Sequence, residues 1–375
     1  MSRPGTSSGG PGPGRLTGLD AARGLAIIGM IIINVGPTTA TSPWHRLYLL
    51  PYGRASVLFV VIAGIGIGLL AARTARDASS RAGARSVVLW RAAVLAAGGL
   101  ALQSLTDDIG VILPLYAILF LLAPVPARLS TPGLVGITAV MLVVGPVLVV
   151  VHDLLALPPV PGTAPVQVDD PPLDLLLGLL VAGRYPLVTW VVPFLVGLLL
   201  ARADLTARRT QRRLMVWGTV AALGGLGAST VSRTLLGPVA DDGPARLLTG
   251  VAHGQMPLWL ISSVGGAAAL VGLVVRVGQS RPRLVEPLAA YGRLSLTVYV
   301  LHILVLVVLV PGELTFRQGM AVSAALVLCS ALVPLLWARV GGPGPLERLT
   351  RPPWLADRAS RRRRLRVPPS PADPR

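Results

Sequence analysis

Residues 34–46 read NVGPTTATSPWHR and separate two strongly apolar runs, LAIIGMIII at 25–33 and SVLFVVIAGIGIGLLAA at 56–72. With their flanks, these runs match the ~20 apolar residues that a helix needs to cross a bilayer core of about 30 Å. The link between them is short and polar, and Asn34 and His45 bracket it. The stretch therefore predicts two membrane-spanning helices joined by a tight loop.

The rest of the chain repeats this pattern. Hydrophobic residues make up 53% of it, charged residues only 13%, and the mean hydropathy is +0.70. These values exceed what a water-soluble domain needs to fill a core and predict an all-α, polytopic transmembrane helical bundle of about ten helices. The ten apolar segments lie near 18–36, 54–72, 87–105, 110–126, 133–151, 185–202, 214–232, 257–276, 289–310 and 319–338.

The two ends of the chain differ in composition from this core. The first apolar segment carries Asp20 and Arg23 and lacks a small-residue cleavage site, so it is read as the first helix rather than as a cleaved signal peptide. Residues 1–15 are rich in Gly, Pro and Ser and predict a disordered tail. We expect a membrane domain at 16–340 and a basic cytoplasmic tail at 341–375.

The charges predict the orientation in the membrane. All 34 basic residues are Arg, and on the ten-helix map many fall in loops on one side of the membrane. By the positive-inside rule, both termini are expected in the cytoplasm, with the chain in the plasma membrane. The Arg residues of that side are at 73, 76, 81, 85, 202, 208, 209, 212, 213, 276, 281, 283, 348, 351, 358 and 361–364, whereas the opposite side carries Asp107, Asp108, Asp153, Asp169, Asp170, Asp174, Asp241 and Asp242.

Several classes of partner are disfavoured by the composition. The formal charge of +18 is accounted for by the loops and the tail, so we expect contact with anionic membrane lipids and no nucleic acid. The single cysteine, Cys329, supports no disulfide. The four histidines are far apart in sequence, which argues against a metal site.

Polar side chains inside apolar segments are the main functional signal, because each costs free energy in hydrocarbon unless it has a partner or a wet cavity. Asp20 and Arg23 share one face of the first helix. They are either an ion pair that only orients the helix or a site where Asp20 holds Arg23 towards an anionic ligand from the cytoplasm.

The ninth segment carries a polar stripe. Ser295, Tyr299 and His302 follow an i, i+4, i+7 spacing in the run SLTVYVLHILVLVV. A lone Ser or Tyr would be helix-packing glue, but three polar groups on one face that end in an imidazole favour a cavity. His302 is expected in the same half of the membrane as Asn34.

The outer loops hold further candidates. Trp44 and His45 are read either as a site or as an exposed loop histidine beside an interfacial Trp. Tyr185 follows a Pro-rich segment that is long for a membrane-protein connection, which suggests a lid or a binding surface. His253 precedes Gly254 at the mouth of the eighth segment, and His152 is read as structural.

Five stretches together resemble the heparan-α-glucosaminide N-acetyltransferase-like membrane acyltransferases and the related YeiB-type bacterial membrane proteins. They are RLTGLDAARGLAIIGMIIINV, SVLFVVIAGIGIGLL, AGRYPLVTWVVPFLVGLLLARADL, AHGQMPLWLISSVGGAAALVGLVV and AAYGRLSLTVYVLHIL. The resemblance implies transfer of an acyl group, normally acetyl, from cytoplasmic acyl-CoA to an extracytoplasmic acceptor. The family's Asn and catalytic His would fall on Asn34 and His45. The eukaryotic branch reads His-Ala-Pro-Trp there, whereas Trp44 precedes His45 here, so His302 and His253 remain alternatives.

The residue set suits that chemistry. A neutral imidazole can take the proton of an attacking hydroxyl or amine, and Asn34 can orient it or donate to the oxyanion. Arg23 and Arg293, with Asp20, are the expected contacts of the donor, acetyl-CoA or another acyl-CoA. Substrate contacts are assigned to Trp44, Tyr185, Ser295 and Tyr299. A covalent acyl-His intermediate and direct transfer both remain open.

Two other function classes use the same residues differently. In a multi-pass transporter or exporter of a small polar or anionic solute, the intramembrane Asp, Arg and His would form a substrate path or proton relay. The lack of a convincing internal repeat speaks against it. A non-enzymatic membrane scaffold or sensor is the third class. Beyond lipids, the expected partners are an extracytoplasmic glycan or small-molecule acceptor, and a homodimer is left open.

Overall fold

A computed structural model describes residues 16–36, 42–74, 78–155, 165–237, 243–310, 312 and 314–354. Within these residues the secondary structure is helical and contains no strand. The predicted all-α class is therefore confirmed. The tail predicted at 1–15 and the arginines from 358 onwards lie outside the described residues, as do Arg76, Asp241 and Asp242.

Fourteen α-helices are formed by the described residues. In chain order, they are α1 Thr17–Val35, α2 Pro43–Tyr48, α3 Arg54–Thr74, α4 Ala78–Gln103, α5 Leu113–Leu122, α6 Thr131–Leu154, α7 Pro172–Leu177, α8 Leu187–Leu200, α9 Arg208–Leu236, α10 Pro257–Ser280, α11 Pro282–Arg293, α12 Ser295–Leu309, α13 Phe316–Val340 and α14 Pro345–Leu349. A π-helical turn, Gly178–Ala182, continues α7.

Seven of the described helices are long and apolar enough to cross a membrane. The number rises to nine if two bent pairs each count as one span: α7 with its π-helical turn joined to α8, bent by 48°, and α11 joined to α12, bent by 66°. Eight of the ten predicted segments fall on these spans one for one; the fourth falls on the shorter α5, and the ninth covers the bent pair α11 and α12. The chain is thus a polytopic helical bundle.

The helices sort into an interior and a periphery. α1, α3 and α10 lie largely buried, and α1 buries the small side chains Ala21, Ala22 and Ala26. α9 instead leaves Trp217 and Leu223 more than half exposed. An apolar helix surface that no protein covers matches lipid rather than water.

Glycines set the closest helix contacts. A Cβ at Gly24 of α1 would collide with the carbonyl of Leu288 in α11, and one at Gly292 would collide with the carbonyl of Asp20. Close approach through small residues is the usual way in which membrane helices associate. It presses the end of α11 against the turn of α1 that carries Asp20 and Arg23.

The break between α11 and α12 exposes the N-terminus of α12, and Glu347 of α14 covers it. The Glu347 carboxylate accepts from the backbone N–H of Leu296 at 2.8 Å and of Thr297 at 3.1 Å, and from the Thr297 hydroxyl at 2.6 Å. The first N–H groups of a helix have no partner within the helix, and Glu347 accepts from two of them here. α14 is held in place by this contact.

The loops are sorted between the two ends of the bundle. We call the end formed by residues 73–74, 78–85, 202–213, 276–283 and 339–354 the Arg-rich end, and the other the acidic end. At the acidic end, Gln167 donates to Asp107 at 2.6 Å and Arg246 to Asp153 at 2.6 Å. Each of these two contacts joins loops that the sequence assigned to the same side of the membrane.

Candidate functional site

A cavity of about 1040 Å³ penetrates the bundle from the Arg-rich end. Its walls come from α1, α3, α4, α5 and α12, and from residues 203–206 and 347–350. Four of the predicted site residues line it: Asp20, Arg23, Ser295 and Tyr299. Four residues that the sequence pattern singled out therefore share one cavity.

Three guanidinium groups face this cavity, from Arg23, Arg73 and Arg91. Arg23 lies 3.3 Å from the carboxylate of Asp20, which is buried. The Nε of Arg91 is buried and has no hydrogen-bond partner in the part of the chain that the structure describes. A buried donor without an acceptor carries a desolvation cost, so Arg91 is prepared for an anionic ligand.

The acidic groups of the cavity are already engaged. Asp20 is paired with Arg23, and Glu347 accepts from the start of α12. Asp204 accepts from the hydroxyl of Thr206 at 2.5 Å and from its backbone N–H at 2.9 Å, and these bonds lower the pKa of the Asp204 carboxyl. The cavity therefore presents cationic groups to a ligand more readily than anionic ones.

Two phenols lie on the wall contributed by α5 and α12. The Tyr299 oxygen accepts from the backbone N–H of Ile112 at 3.1 Å. The Tyr116 hydroxyl is buried and has no hydrogen-bond partner among the described residues. Both phenols contribute to the lining of the cavity.

The polar stripe continues from Tyr299 to Asn34. The Tyr299 and His302 rings meet edge to face with centroids 5.2 Å apart, and His302 Nε2 lies 3.1 Å from Asn34 Nδ2. His302 Nδ1 lies 3.3 Å from the carbonyl of Val298. Since a carbonyl only accepts, Nδ1 carries the proton in a neutral ring, and Nε2 accepts from the Asn34 amide. The basic lone pair of His302 thus points to Asn34.

His45 lies at the surface of the acidic end. Its ring stacks on Phe316 with centroids 3.7 Å apart, and the neighbouring Trp44 is 75% exposed. Tyr48, one turn later on α2, donates to the carbonyl of Ile32 at 2.7 Å. α2 is therefore anchored to α1 through Tyr48, while the Asn34 amide bonds to the imidazole of His302.

His253 belongs to a separate aromatic cluster at the acidic end. Its ring lies 4.9 Å from Tyr52, 6.1 Å from Tyr185, 6.2 Å from Trp190 and 6.0 Å from Trp259, centroid to centroid. Burial among these rings, reinforced by the Arg184 charge, lowers the pKa of His253 to about 3. Its imidazole is neutral at physiological pH, and its backbone adopts a positive φ of 56°.

Arg293 does not line the cavity. It pairs with Glu286 at 2.7 Å on the partly exposed face of α11. The cavity residues that sequence reasoning passed over are Arg91 and Tyr116. An Arg inside the apolar run VVLWRAAVLAAGG was an available signal, because such a charge requires a cavity or a partner.

A metal site finds no support in the geometry. Within residues 16–354, apart from the gaps given above, no three His, Cys, Asp or Glu side chains gather closely enough to hold a metal ion. The predicted site residues that the structure describes instead fall into four places: the cavity, the Asn34–His302 pair next to it, the acidic end with its aromatic cluster around His253, and the face of α11 that carries Arg293.

Comparison with protein families gives two matches. The family described as heparan-alpha-glucosaminide N-acetyltransferase, catalytic, matches residues 15–232. The family described as a protein of unknown function, DUF418, matches residues 199–355. No curated protein matches the chain significantly. The first match covers more than half of the chain and includes α1 with Asp20, Arg23 and Asn34.

Proposed function

Because the chain belongs to the heparan-α-glucosaminide N-acetyltransferase-like family of membrane proteins, we propose that it moves an acyl group across a bilayer. The donor is a cytoplasmic acyl-CoA, in the first instance acetyl-CoA. The acceptor is an extracytoplasmic hydroxyl or amine, such as that of a sugar. The membrane in question is the plasma membrane.

One observation carries this proposal. The cavity that holds three guanidinium groups at the Arg-rich end shares Tyr299 with the stripe that leads to His302 and Asn34. Tyr299 thus connects the proposed donor cavity with the proposed base. On α1, Arg23 and Asn34 are eleven residues apart, or about 16 Å at 1.5 Å per residue. An extended CoA arm is long enough to cover that distance.

The donor's phosphates bind at the Arg-rich end, which we place in the cytoplasm. Arg91 supplies a buried Nε–H that has no partner among the described residues, and Arg23 is held in position by Asp20. Guanidinium groups suit phosphate because they offer several donors in a fixed planar arrangement. The acyl end then lies deeper in the cavity, towards Tyr116 and Tyr299.

His302 is the base in this proposal. Its Nδ1 proton is held by the Val298 carbonyl, so Nε2 is the atom that accepts a proton. The acceptor's N–H or O–H replaces the Asn34 amide at Nε2, and the acceptor then attacks the thioester carbon. His45 is the alternative base, supported by its place in the family resemblance.

Binding of CoA to the purified protein in detergent tests the proposed donor site. Arg91→Ala is expected to weaken binding, because it removes a half-buried cation from the cavity wall. Arg209→Ala is the matched control, since Arg209 is exposed at the same end and does not line the cavity. Equal weakening in both variants would point to nonspecific charge attraction and contradict the proposed site.

A transfer assay tests the proposed reaction. It follows the label from ¹⁴C-acetyl-CoA to glucosamine, which serves as a probe amine. The protein is reconstituted in vesicles with the donor on one side and the acceptor on the other. Label on the amine supports acyl transfer. Movement of a solute without any covalent product would favour the transporter instead.

A further inference from the structure

The Tyr116 hydroxyl is an unexplained polar atom in the cavity. The residue is only 6% exposed, and its hydroxyl has no hydrogen-bond partner among the described residues. Its ring is fixed by Phe59 and Phe120, with centroids 5.1 and 5.9 Å away, and all three residues line the cavity. A buried hydroxyl without a partner is destabilising, so a group that enters the cavity is the natural acceptor for it.

Tyr299 offers a second donor on the same cavity. It is 1% exposed, and its oxygen accepts from the backbone N–H of Ile112, the N-cap of α5. A hydroxyl that accepts in this way keeps its own hydrogen for donation. The same ring touches His302, so this donor lies next to the base of the proposed reaction.

We propose that Tyr116 and Tyr299 are catalytic residues that donate hydrogen bonds to the acyl carbonyl oxygen of the donor. This inference rests on the proposed function. Two neutral O–H donors, carried by rings that are themselves buried, stabilise the negative charge that develops on this oxygen during attack. Neither phenol loses its proton. The pair thus also selects the acylated form of CoA over the free thiol.

In the transfer step, the acceptor's nitrogen or oxygen forms a bond to the acyl carbonyl carbon of the donor, and its proton passes to His302 Nε2. The carbonyl electrons move onto the oxygen that the two phenols hold. When the tetrahedral intermediate collapses, the C–S bond breaks and CoA leaves as a thiolate, which takes the proton from His302. The products are the acylated acceptor and CoA thiol.

Infrared difference spectroscopy with acetyl-CoA labelled by ¹³C at the carbonyl tests the contact directly, using the full-length protein in detergent. In the wild type, the carbonyl band is expected at lower frequency than in free acetyl-CoA. In Tyr116→Phe and in Tyr299→Phe, the shift should shrink. Tyr291→Phe is the control, because its hydroxyl bonds to Ser330 and the residue does not line the cavity.

Kinetics give the second readout. Each of the two phenylalanine variants is expected to lower kcat for transfer to glucosamine by about 10²–10³-fold, the usual loss of one oxyanion donor. Their affinity for unacylated CoA should stay at the wild-type value, which also shows that the variants are folded. Tyr291→Phe should keep the wild-type kcat.

The outcomes separate the two proposals. Suppose that the wild type transfers acetyl groups and that Tyr116→Phe keeps the wild-type carbonyl frequency and kcat. This result would overturn the role of the two phenols alone, and the Tyr116 hydroxyl would then be a hydrogen-bond partner of a water molecule. Wild-type protein that binds no CoA and transfers nothing would overturn the proposed function, and the phenol pair with it.

Discussion

Two nitrogen atoms of His302 decide how its ring can act. Nδ1 lies 3.3 Å from the Val298 carbonyl, which orients the ring, and Nε2 lies 3.1 Å from the Asn34 amide. The Asn34 amide thus bonds to the Nε2 lone pair. In the proposed reaction, Asn34 marks the position that the acceptor's N–H or O–H takes.

Replacing the two candidate bases separates them. His302→Ala is expected to abolish acetyl transfer and leave CoA affinity unchanged, because the imidazole acts on the acceptor and not on the donor's phosphates. His45→Ala should retain transfer, since that ring packs on Phe316. Transfer assays and CoA titrations of both variants provide the measurement. Activity in His302→Ala together with its loss in His45→Ala would move the base to α2.

The buried imidazole of His253 is expected to make the stability of the folded protein depend on pH in the acidic range. Its pKa is about 3 in the folded protein against an ordinary value of 6.5, so between these values the unfolded chain binds a proton that the native state does not. Stability therefore falls as the pH drops from about 6.5 towards 3. His253→Asn, which tolerates the positive φ, should show a flatter Tm against pH in detergent. Parallel curves for the two proteins would contradict this assignment.

Sequence reasoning reached some of these residues and missed others for physical reasons. The spacing of Ser295, Tyr299 and His302 is periodic within one helix, so it can be read from the chain. The pairing of His302 with Asn34 joins residues 268 positions apart and depends on how α1 packs against α12. Tyr116 looks like an ordinary aromatic in an apolar run, and only the structure shows that its hydroxyl lies at a cavity and has no partner within the described part of the chain.

At the scale of helices, small residues determine how closely elements approach. A Cβ at Gly64 of α3 would collide with the carbonyl of Phe194, and one at Gly197 of α8 would collide with that of Val61. The contact is reciprocal and lies next to the wall of α3 that forms part of the cavity.

Gly197→Ala is therefore expected to destabilise the protein by about 1–3 kcal/mol, the usual cost of overpacking. The added methyl group forces α3 and α8 apart. Gly66→Ala on α3 is the matched control, because nothing lies within 4 Å of its added Cβ. Thermal unfolding in detergent measures both. A Gly197→Ala variant as stable as Gly66→Ala would show that the two helices can separate without cost.

The helix start at α12 supports a second prediction at this scale. Glu347→Ala removes the acceptor of two backbone donors and is expected to cost about 0.5–2 kcal/mol, the range found for lost N-caps. Glu286→Ala is the control, since its exposed pair with Arg293 is worth little. Thermal unfolding again provides the measurement, and equal Tm values for the two variants would contradict the capping role.

The two broken spans were not predicted from the sequence. The run around 289–310 was read as one helix, although α11 ends at Arg293 and α12 starts at Ser295 with a 66° bend. Hydropathy averages over such a break, because both halves are apolar enough to be read as one segment. The carboxylate that satisfies the new helix start comes from Glu347, which lies about fifty residues further along the chain.

For the whole molecule, the separation of charges between the two ends is the most predictable feature. It follows from local composition and the number of crossings alone. The cavity adds a functional consequence, because its guanidinium groups belong to the Arg-rich end. A cytoplasmic donor can reach them only if this end faces the cytoplasm, so the proposed function requires this topology.

Cysteine labelling in intact cells tests this orientation. In a Cys329→Ser background, which removes the single cysteine, one variant carries Asp169→Cys at the acidic end and the other Arg209→Cys at the Arg-rich end; both positions are exposed. A membrane-impermeant maleimide should label the first variant in intact cells and the second only after permeabilisation, because positively charged loops are retained in the cytoplasm. The reverse result would place the donor cavity outside the cell and exclude a cytoplasmic acyl-CoA as its ligand. Labelling of both variants from outside would show instead that the two loops lie on the same side and that the chain crosses the bilayer an even number of times between them.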